Sequence, residues 1–215
     1  MFSFFNKNKD DYSQSGQDQF AYNISGEKGI YLEIGAHHPV INSNTYRLEV
    51  ECGWKGLSVE FDQAFKKFWD DSKIRQNPII WKDAFTVNYK SSFKEYSFPD
   101  RINYLSCDIE PPINTLNILK KIIETGLSFD FISFEHDRYN SGDTYEKLSI
   151  EYLLNKGYKI GIHDVYSRNK KYKVYETWFV NDDINFDEIT YENWKKIYYR
   201  KNLFKKEKFF INKAK

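Results

Sequence analysis

The feature that most constrains this chain is a regular alternation of short apolar segments with longer amphipathic ones. The apolar segments are of strand length and lie at residues 29–34, 56–61, 78–81, 103–107, 129–134, 158–162 and 174–180. Most of them are separated by segments with helical periodicity, at residues 44–52, 63–72, 115–123 and 145–156. Strands that alternate with helices are typical of a parallel sheet covered by helices. The sequence therefore predicts an α/β fold.

The end of this pattern differs from its beginning. The segments 158–162 and 174–180 are joined by a short link, whereas a parallel crossover needs about a dozen residues or more. We therefore expect these two strands to be antiparallel. A mostly parallel sheet that ends in an antiparallel hairpin resembles the Rossmann-like outline of the class I methyltransferases. The 215 residues suffice for one well-buried domain.

Charge and cysteine content exclude several classes of protein. The 32 basic and 31 acidic side chains leave a net charge of +1, which argues against a nucleic-acid partner held by a broad positive field. The two cysteines are too few for a disulfide framework, so we expect a reducing, cytoplasmic location. The apolar run at residues 1–5 is too short for a signal peptide or a membrane span.

Polar residues and glycines follow the predicted strands, where open α/β sheets bind their ligands. Gly35 follows the first strand and would let a ligand approach the backbone closely. Glu60 ends the second strand about 25 residues later, where a carboxylate can accept both hydroxyls of a ribose. Asp83 follows the third strand and could accept an adenine amino group. The pattern favours nucleoside binding, although Pro39 interrupts any dinucleotide GxGxxG motif.

Short motifs in a fixed order resemble those of the FkbM-type methyltransferases, over about residues 12 to 180. They are YSQSGQD at 12–18, EIGAHHP at 33–39, SNTY at 43–46, GWKG at 53–56, LSCDIE at 105–110 and ISFEH at 132–136. The resemblance implies a Rossmann-like domain that uses S-adenosylmethionine, usually to methylate hydroxyls of sugars, polysaccharide ends or natural products. The expected acceptor is therefore a saccharide or a small molecule.

The same resemblance assigns binding roles by motif. It places Glu33, Gly35 and the adjacent Ala36, with Asn44 and Thr45, around the methionine part of the cofactor. Glu60 would hold the ribose, and Gln17 would lie near the cofactor mouth. One departure is Pro111, which stands where the family usually has glycine and removes an amide donor there.

These assignments divide the chain into three parts: a segment 1–28 that covers the cofactor mouth, a methyltransferase domain 29–182, and a basic aromatic segment 183–215. Within the last part, residues 194–215 contain nine Lys or Arg and one acidic residue. That stretch could contact an anionic membrane as a peripheral anchor. Alternatively, it is a terminal helix that packs its aromatic side chains on the domain. The sequence does not indicate an oligomeric state.

Methyl transfer to a hydroxyl needs a base or a metal ion, because an alkyl hydroxyl ionises far above neutral pH. Our preferred base is His136 at the end of the fifth strand, with Asp108 and Glu110 nearby at the end of the fourth. Mg²⁺ held by Asp108, Glu135 and Asp137 is an equal alternative, since it prefers oxygen ligands. Spacing alone does not decide between them.

Two other functions fit parts of the pattern. An NAD-dependent oxidoreductase would use the ribose carboxylate equally well, but it would be expected to contain GxGxxG. A methyltransferase-like interaction domain without activity would keep the pocket and lose turnover, for which Pro111 and Pro112 give a reason.

Overall fold

A computed structural model describes residues 12–167 and 173–196. Its strands form one eight-stranded sheet. They are β1 Ile30–Ile34, β2 Lys55–Glu60, β3 Ile79–Trp81, β4 Arg101–Cys107, β5 Ser128–Glu135, β6 Tyr158–Tyr166, β7 Val174–Asn181 and β8 Ile189–Thr190. All seven predicted strands are present, and their bounds differ from the prediction mainly at β6, which continues four residues further to Tyr166 through irregular pairing with β7.

The strand order is β3-β2-β1-β4-β5-β7-β6-β8. The five strands from β3 to β5 are parallel, and β7 is antiparallel to both β5 and β6. This arrangement confirms the predicted α/β fold with a mostly parallel sheet and an antiparallel C-terminal hairpin. From β1 the chain adds β2 and β3 on one side of the sheet, and it then adds β4 and β5 on the other side of β1. The loops after β1 and β4 therefore lead in opposite directions and leave a crevice between them.

Helices cover both faces of the sheet, and several of them connect its parallel strands. The helices are α1 Gln17–Ser25, α2 Tyr46–Val50, α3 Lys66–Ser72, α4 Tyr89–Glu95, α5 Pro112–Glu124, α6 Arg138–Ser141, α7 Thr144–Leu154 and α8 Tyr191–Trp194. Short 3₁₀ turns precede α3 at Gln63–Phe65 and follow β3 at Ala84–Thr86. No helix in the described residues is long and apolar enough to cross a membrane.

Successive side chains of each strand enter opposite layers of the core. Leu32, for example, packs in a layer of aliphatic residues that includes Ile118 and Ile122 of α5. Its neighbour Tyr31 lies in the other layer, which is rich in aromatic rings and includes Phe20 of α1. Because both faces of the strands are buried, they are nearly continuous apolar runs in the sequence.

The predicted C-terminal boundary at residue 182 is too early. Ile184, Phe186, Tyr191 and Trp194 are all buried in the aromatic layer. β8 also adds to the sheet beside β6. The packed domain therefore extends at least through Trp194. Most of the basic segment, residues 197–215, lies outside the described residues, so the predicted membrane contact is untested.

Candidate cofactor and acceptor site

The turn after β1 brings the chain very close to the end of β4. Gly35 has a φ of +81°, and a Cβ built on it would lie 1.8 Å from the backbone oxygen of Asp108. Its amide donates to the carbonyl of Val59 at 3.0 Å. Glycine is therefore required here by the approach of two loops as well as by its backbone angle. This reason differs from the expected one, which was space for a ligand.

Glu60 ends β2 and faces the loop after β1. Its Oε2 accepts the amide of His37 at 2.6 Å, and its Oε1 accepts the amide of Asp62 at 2.7 Å. A carboxylate offers about four lone-pair positions, so each oxygen can accept one further hydrogen bond. The backbone thus holds the Glu60 carboxylate in one orientation at the edge of the crevice.

A cavity of about 560 Å³ opens beside Glu60 at the carboxyl ends of β2 and β3. Its lining residues are Phe61, Asp62, Gln63, Trp81, Lys82 and Asp83. The Phe61 side chain is 72% exposed, which is unusual for a residue of its size next to a buried strand. Asp83 accepts the amide of Phe85 through Oδ1 at 2.8 Å, which leaves its second oxygen available. The cavity offers aromatic faces and a hydrogen-bond acceptor to a flat heterocycle.

The other predicted cofactor residues lie at β1 and the loop that follows it. Glu33 is buried and accepts the hydroxyl of Ser58 at 2.9 Å. Burial raises the pKa of Glu33, and the Arg75 guanidinium, 3.7 Å away, opposes this shift. Ala36 is buried, and its amide donates to the Val59 carbonyl at 3.2 Å. Glu33 and Ala36 therefore fix the end of β1 and the start of its loop against β2.

Asn44 reaches over the carboxyl end of β4. Its Nδ2 donates to the hydroxyl of Ser106 at 3.0 Å, and Ser106 is the register partner of Glu33. Its Oδ1 is buried and has no hydrogen-bond partner among residues 12–167 and 173–196. The neighbouring Thr45 is fully buried and accepts from Arg75. Asn44 thus keeps a buried, unused acceptor near Ser106, close to the carboxyl ends of β1 and β4.

Four carboxylates meet where β4 and β5 end. Single oxygens of Glu110, Glu135 and Asp137 lie within 4.8 Å of one another, and Asp108 shares a hydrogen bond with Glu135. Loss of hydration raises the pKa of Asp108, and it raises that of Glu135 well above its ordinary value. Loss of hydration and contact with Asp137 raise the pKa of Glu110 to about 6. The structure thus brings together all the predicted acidic residues of this edge.

His136 follows Glu135 at the same edge, but its side chain does not join the four carboxylates, which removes the geometric basis for predicting it as the base. The side chain is fully buried, its Nδ1 accepts the amide of Arg138 at 3.2 Å, and its Nε2 lies 3.2 Å from the Thr177 hydroxyl. Burial lowers its pKa to about 3. Because side chains alternate along an extended chain, His136 points away from the side that Glu135 faces.

Gln17, which was expected near the cofactor mouth, lies beside β7. It is fully buried, and its Nε2 donates to Glu176 of β7 at 3.0 Å. Three strands separate β7 from β2, so Gln17 does not approach the cavity beside Glu60. Burial raises the pKa of Glu176 to about 8. The N-terminal segment is therefore bonded to β7 at Glu176, the register partner of Glu135.

Sequence reasoning missed Arg75, which is buried beneath the loop after β1 and bonded to it. It lies between α3 and β3, outside any motif or periodic segment. A lone arginine in a predicted loop carries no signal of this role.

No protein-family model and no curated protein matches the sequence. Solved structures resemble the fold. The methyltransferase domain of METTL16, in a form described as delta-N, is 11% identical with a TM-score of 0.52, and the match covers 77% of this chain and 80% of that one. Fibrillarin of Aeropyrum pernix, with bound S-adenosylmethionine, is 13% identical with a TM-score of 0.48 over 72% and 67% of the chains. TYW2 of M. jannaschii, also with S-adenosylmethionine, is 13% identical with a TM-score of 0.48 over 81% and 79%.

These identities are low, so the likeness concerns the fold and leaves the substrate open. The match to the METTL16 domain covers more than three quarters of both chains. This chain therefore has a Rossmann-like α/β fold similar to that of the METTL16 methyltransferase domain.

Proposed function

We propose that the protein is an S-adenosylmethionine-dependent O-methyltransferase of the FkbM type that acts on a hydroxyl of a sugar, a glycan or a small metabolite. The observation that carries the proposal is the cavity of about 560 Å³ beside Glu60, at the carboxyl ends of β2 and β3. Its position and lining suit the adenosine part of the cofactor. The methyltransferase fold supports the same assignment.

The adenosine end is assigned from the chemistry of the lining residues. Phe61 and Trp81 offer faces on which adenine can stack, and the free oxygen of Asp83 can accept its amino group. The remaining acceptor positions of Glu60 suit the two ribose hydroxyls. These side chains together bind an adenosine without any GxGxxG motif.

The amino-acid end is assigned to the crevice between β1 and β4. The unused Oδ1 of Asn44 can accept from an ammonium group there. Three strand spacings separate β3 from β4, a span of about 14 Å. An extended ligand with adenosine at one end and an amino acid at the other matches this distance. Glu33 and Gly35 then act beneath the ligand, as supports of the turn.

S-adenosylmethionine supplies an activated methyl group when bound, so the protein must mainly align the acceptor and remove its proton. We assign the base role to the hydrogen-bonded pair Asp108 and Glu135, in place of His136. Both side chains are half-buried and adjoin the crevice, and their raised pKa values make them stronger bases than ordinary carboxylates. The hydrogen bond between them holds one proton, so the pair carries one ionised carboxylate, and this carboxylate takes the proton of the acceptor hydroxyl as the methyl group is transferred.

As an alternative to this base, we propose Mg²⁺ as a second cofactor held by Glu110, Glu135 and Asp137, with Glu110 in place of the predicted Asp108. One observation supports the fit: Oδ1 of Asp137 is buried and has no hydrogen-bond partner in the described part of the chain, although it adjoins two other carboxylates. Carboxylate oxygens are the ligands that Mg²⁺ prefers. Its expected role is to polarise the acceptor oxygen. A thermal shift of the unmodified protein on adding Mg²⁺, absent in Asp137→Asn, tests this without an acceptor.

Calorimetry with S-adenosylmethionine, S-adenosylhomocysteine and NAD tests the cofactor assignment. We expect the first two to bind and NAD to fail. Phe61→Ala should weaken S-adenosylhomocysteine binding about tenfold through lost stacking. Phe68→Ala is the matched control, because Phe68 is 50% exposed and does not line the cavity. Preferential binding of NAD would favour the oxidoreductase alternative.

Turnover requires a separate test, because an inactive methyltransferase-like domain would also bind the cofactor. The formation of S-adenosylhomocysteine is measured with a panel of saccharides and small hydroxylated metabolites. We expect activity with at least one member and a strong loss in Glu135→Gln. Cofactor binding without turnover on any acceptor would support the inactive alternative.

A further inference from the structure

We infer that Arg75 is a positioning residue that sets the loop 39–45 so that Asn44 faces the amino-acid end of the cofactor. This inference rests on the proposed function and assigns a role to a residue outside the motifs. Arg75 is one buried side chain that joins this loop to the sheet.

The Arg75 guanidinium uses all five of its N–H donors. The acceptors are Glu49 Oε2 at 2.5 Å, Pro39 O at 3.0 Å, Ser43 Oγ at 3.2 Å, Tyr31 OH at 3.0 Å and Thr45 Oγ1 at 2.8 Å. Three of these acceptors belong to the loop after β1, and the others lie on β1 and α2. A planar group with every donor engaged holds its partners in one mutual arrangement.

The surroundings of Arg75 fix the guanidinium itself. Arg75 is only 8% exposed, and its guanidinium carbon lies 4.6 Å from the ring centre of Trp69. The carboxylates of Glu49 and Glu33 lie 2.5 and 3.7 Å from its nitrogens and balance its charge. A buried arginine that is stacked and paired in this way cannot be replaced by lysine without losing directed bonds.

The contacts of Arg75 enclose Asn44 from both sides. Arg75 binds the hydroxyls of Ser43 and Thr45, which flank Asn44 in the chain, and Ser43 also accepts the amide of Tyr46 at 3.1 Å. Asn44 is held to Ser106, and its Oδ1 has no hydrogen-bond partner within the described parts of the chain. Arg75 therefore acts on the ligand through Asn44, whereas the cavity for adenosine lies beyond β2 and does not include Arg75.

Because Arg75 contacts the loop that holds Asn44 and not the adenosine cavity, its substitution should weaken binding of ligands with an amino-acid part and spare adenosine. A general loss of stability would weaken both. The Kd values of S-adenosylhomocysteine and of adenosine, which lacks the amino-acid part, are measured by calorimetry. We expect Arg75→Lys to weaken S-adenosylhomocysteine binding about tenfold, since a less ordered loop lowers affinity, while the adenosine Kd stays unchanged. Arg101→Lys is the matched control, because Arg101 pairs with two carboxylates at the opposite end of β4.

Ser43→Ala provides a second variant that retains the Arg75 charge and its ion pairs. We expect the same selective loss, smaller in size, so the inference can be tested even if Arg75→Lys fails to fold. Equal weakening of both ligands, or no change in folded variants, would overturn the role of Arg75 while leaving the cofactor assignment intact. Failure of the unmodified protein to bind S-adenosylhomocysteine would overturn the proposed function and this inference with it.

Discussion

Glu60 is the side chain whose proposed role is most directly testable. Glu60→Gln removes the charge that would strengthen hydrogen bonds to the ribose hydroxyls. Losing such bonds costs about 1.5 to 3 kcal/mol, or roughly ten- to a hundred-fold in affinity. We expect that loss in calorimetry with adenosine and with S-adenosylhomocysteine. Glu95→Gln, on the exposed end of α4, should bind both normally. Unchanged affinity in a folded Glu60→Gln protein would exclude a ribose contact.

His136 is expected to affect stability in acid rather than the methyl-transfer step. Its pKa is lowered to about 3 in the folded protein, so between about pH 6.5 and 3 the unfolded chain binds a proton that the folded chain does not. Stability from this residue is therefore complete above pH 6.5 and is lost as the pH falls. In His136→Gln, denaturant unfolding at pH 7 and pH 5 should show a smaller loss on acidification than in the unmodified protein. An equal loss in both would contradict a neutral, buried imidazole.

The contrast between His136 and Glu135 shows what could be predicted for individual residues. The sequence correctly indicated that the carboxylates after β4 and β5 share one edge, because parallel strands end together. It also contained the information that Glu135 and His136 are adjacent and must point to opposite sides. Arg75 differs, since its role depends on how a loop folds back over β1, and no local pattern encodes that path.

Among turns, Gly35 and Gly53 form a matched pair. Both have positive φ values, +81° and +68°, but a Cβ at Gly53 would meet nothing within 4 Å. We expect Gly53→Ala to cost about 1 kcal/mol for its backbone angle. Gly35→Ala adds a clash with the Asp108 carbonyl and should lower the free energy of unfolding much more, as measured in denaturant. Equal losses would show that the two loops can separate without penalty.

The last described helix, α8, places Trp194 in the aromatic layer. Its ring centre lies 5.2 Å from that of Trp178 and 5.6 Å from that of Tyr191, and the side chain is fully buried. Trp194→Ala should destabilise the protein by about 3 to 5 kcal/mol and leave cofactor affinity nearly unchanged. A chain that ends at Lys196 retains this contact. Comparing its binding to anionic vesicles with that of the full chain therefore tests the membrane contact predicted for the basic segment. A normal melting temperature in Trp194→Ala would contradict the packing role.

Most strands could be predicted from the sequence, whereas several short elements could not, and the difference has a physical reason. The strands of the sheet were recognisable because burial on both faces produces continuous apolar runs. α1 was missed, although it contributes Phe20 to the core, because its nine residues combine Gln, Asp and Asn with few apolar positions. β8 and α8 are even shorter, and their burial depends on the existing sheet. Short elements stabilised by tertiary contacts leave little trace in local periodicity.

Across the protein, the distribution of charge matters more than its total. The net charge is +1, yet Asp108, Glu110, Glu135 and Asp137 gather at the proposed acceptor side. Such an edge repels a polyanion, so we expect labelled single-stranded RNA to bind no more tightly than the non-specific range of about 10⁻⁴ to 10⁻⁶ M in fluorescence anisotropy. Salt-sensitive binding below that range would contradict the prediction that nucleic acid is not a partner.

The unequal placement of the five tryptophans has an optical consequence. Trp54, Trp178 and Trp194 are almost fully buried away from the cavity, whereas Trp81 lines it and lies 6.4 Å from Trp69. An adenine that stacks there would alter the emission of Trp81 and leave the buried indoles as a constant background. Trp81 is thus an intrinsic fluorescent reporter of ligand binding in the cavity. The Trp81→Phe variant lacks this reporter, so its emission gives the background to subtract in a titration.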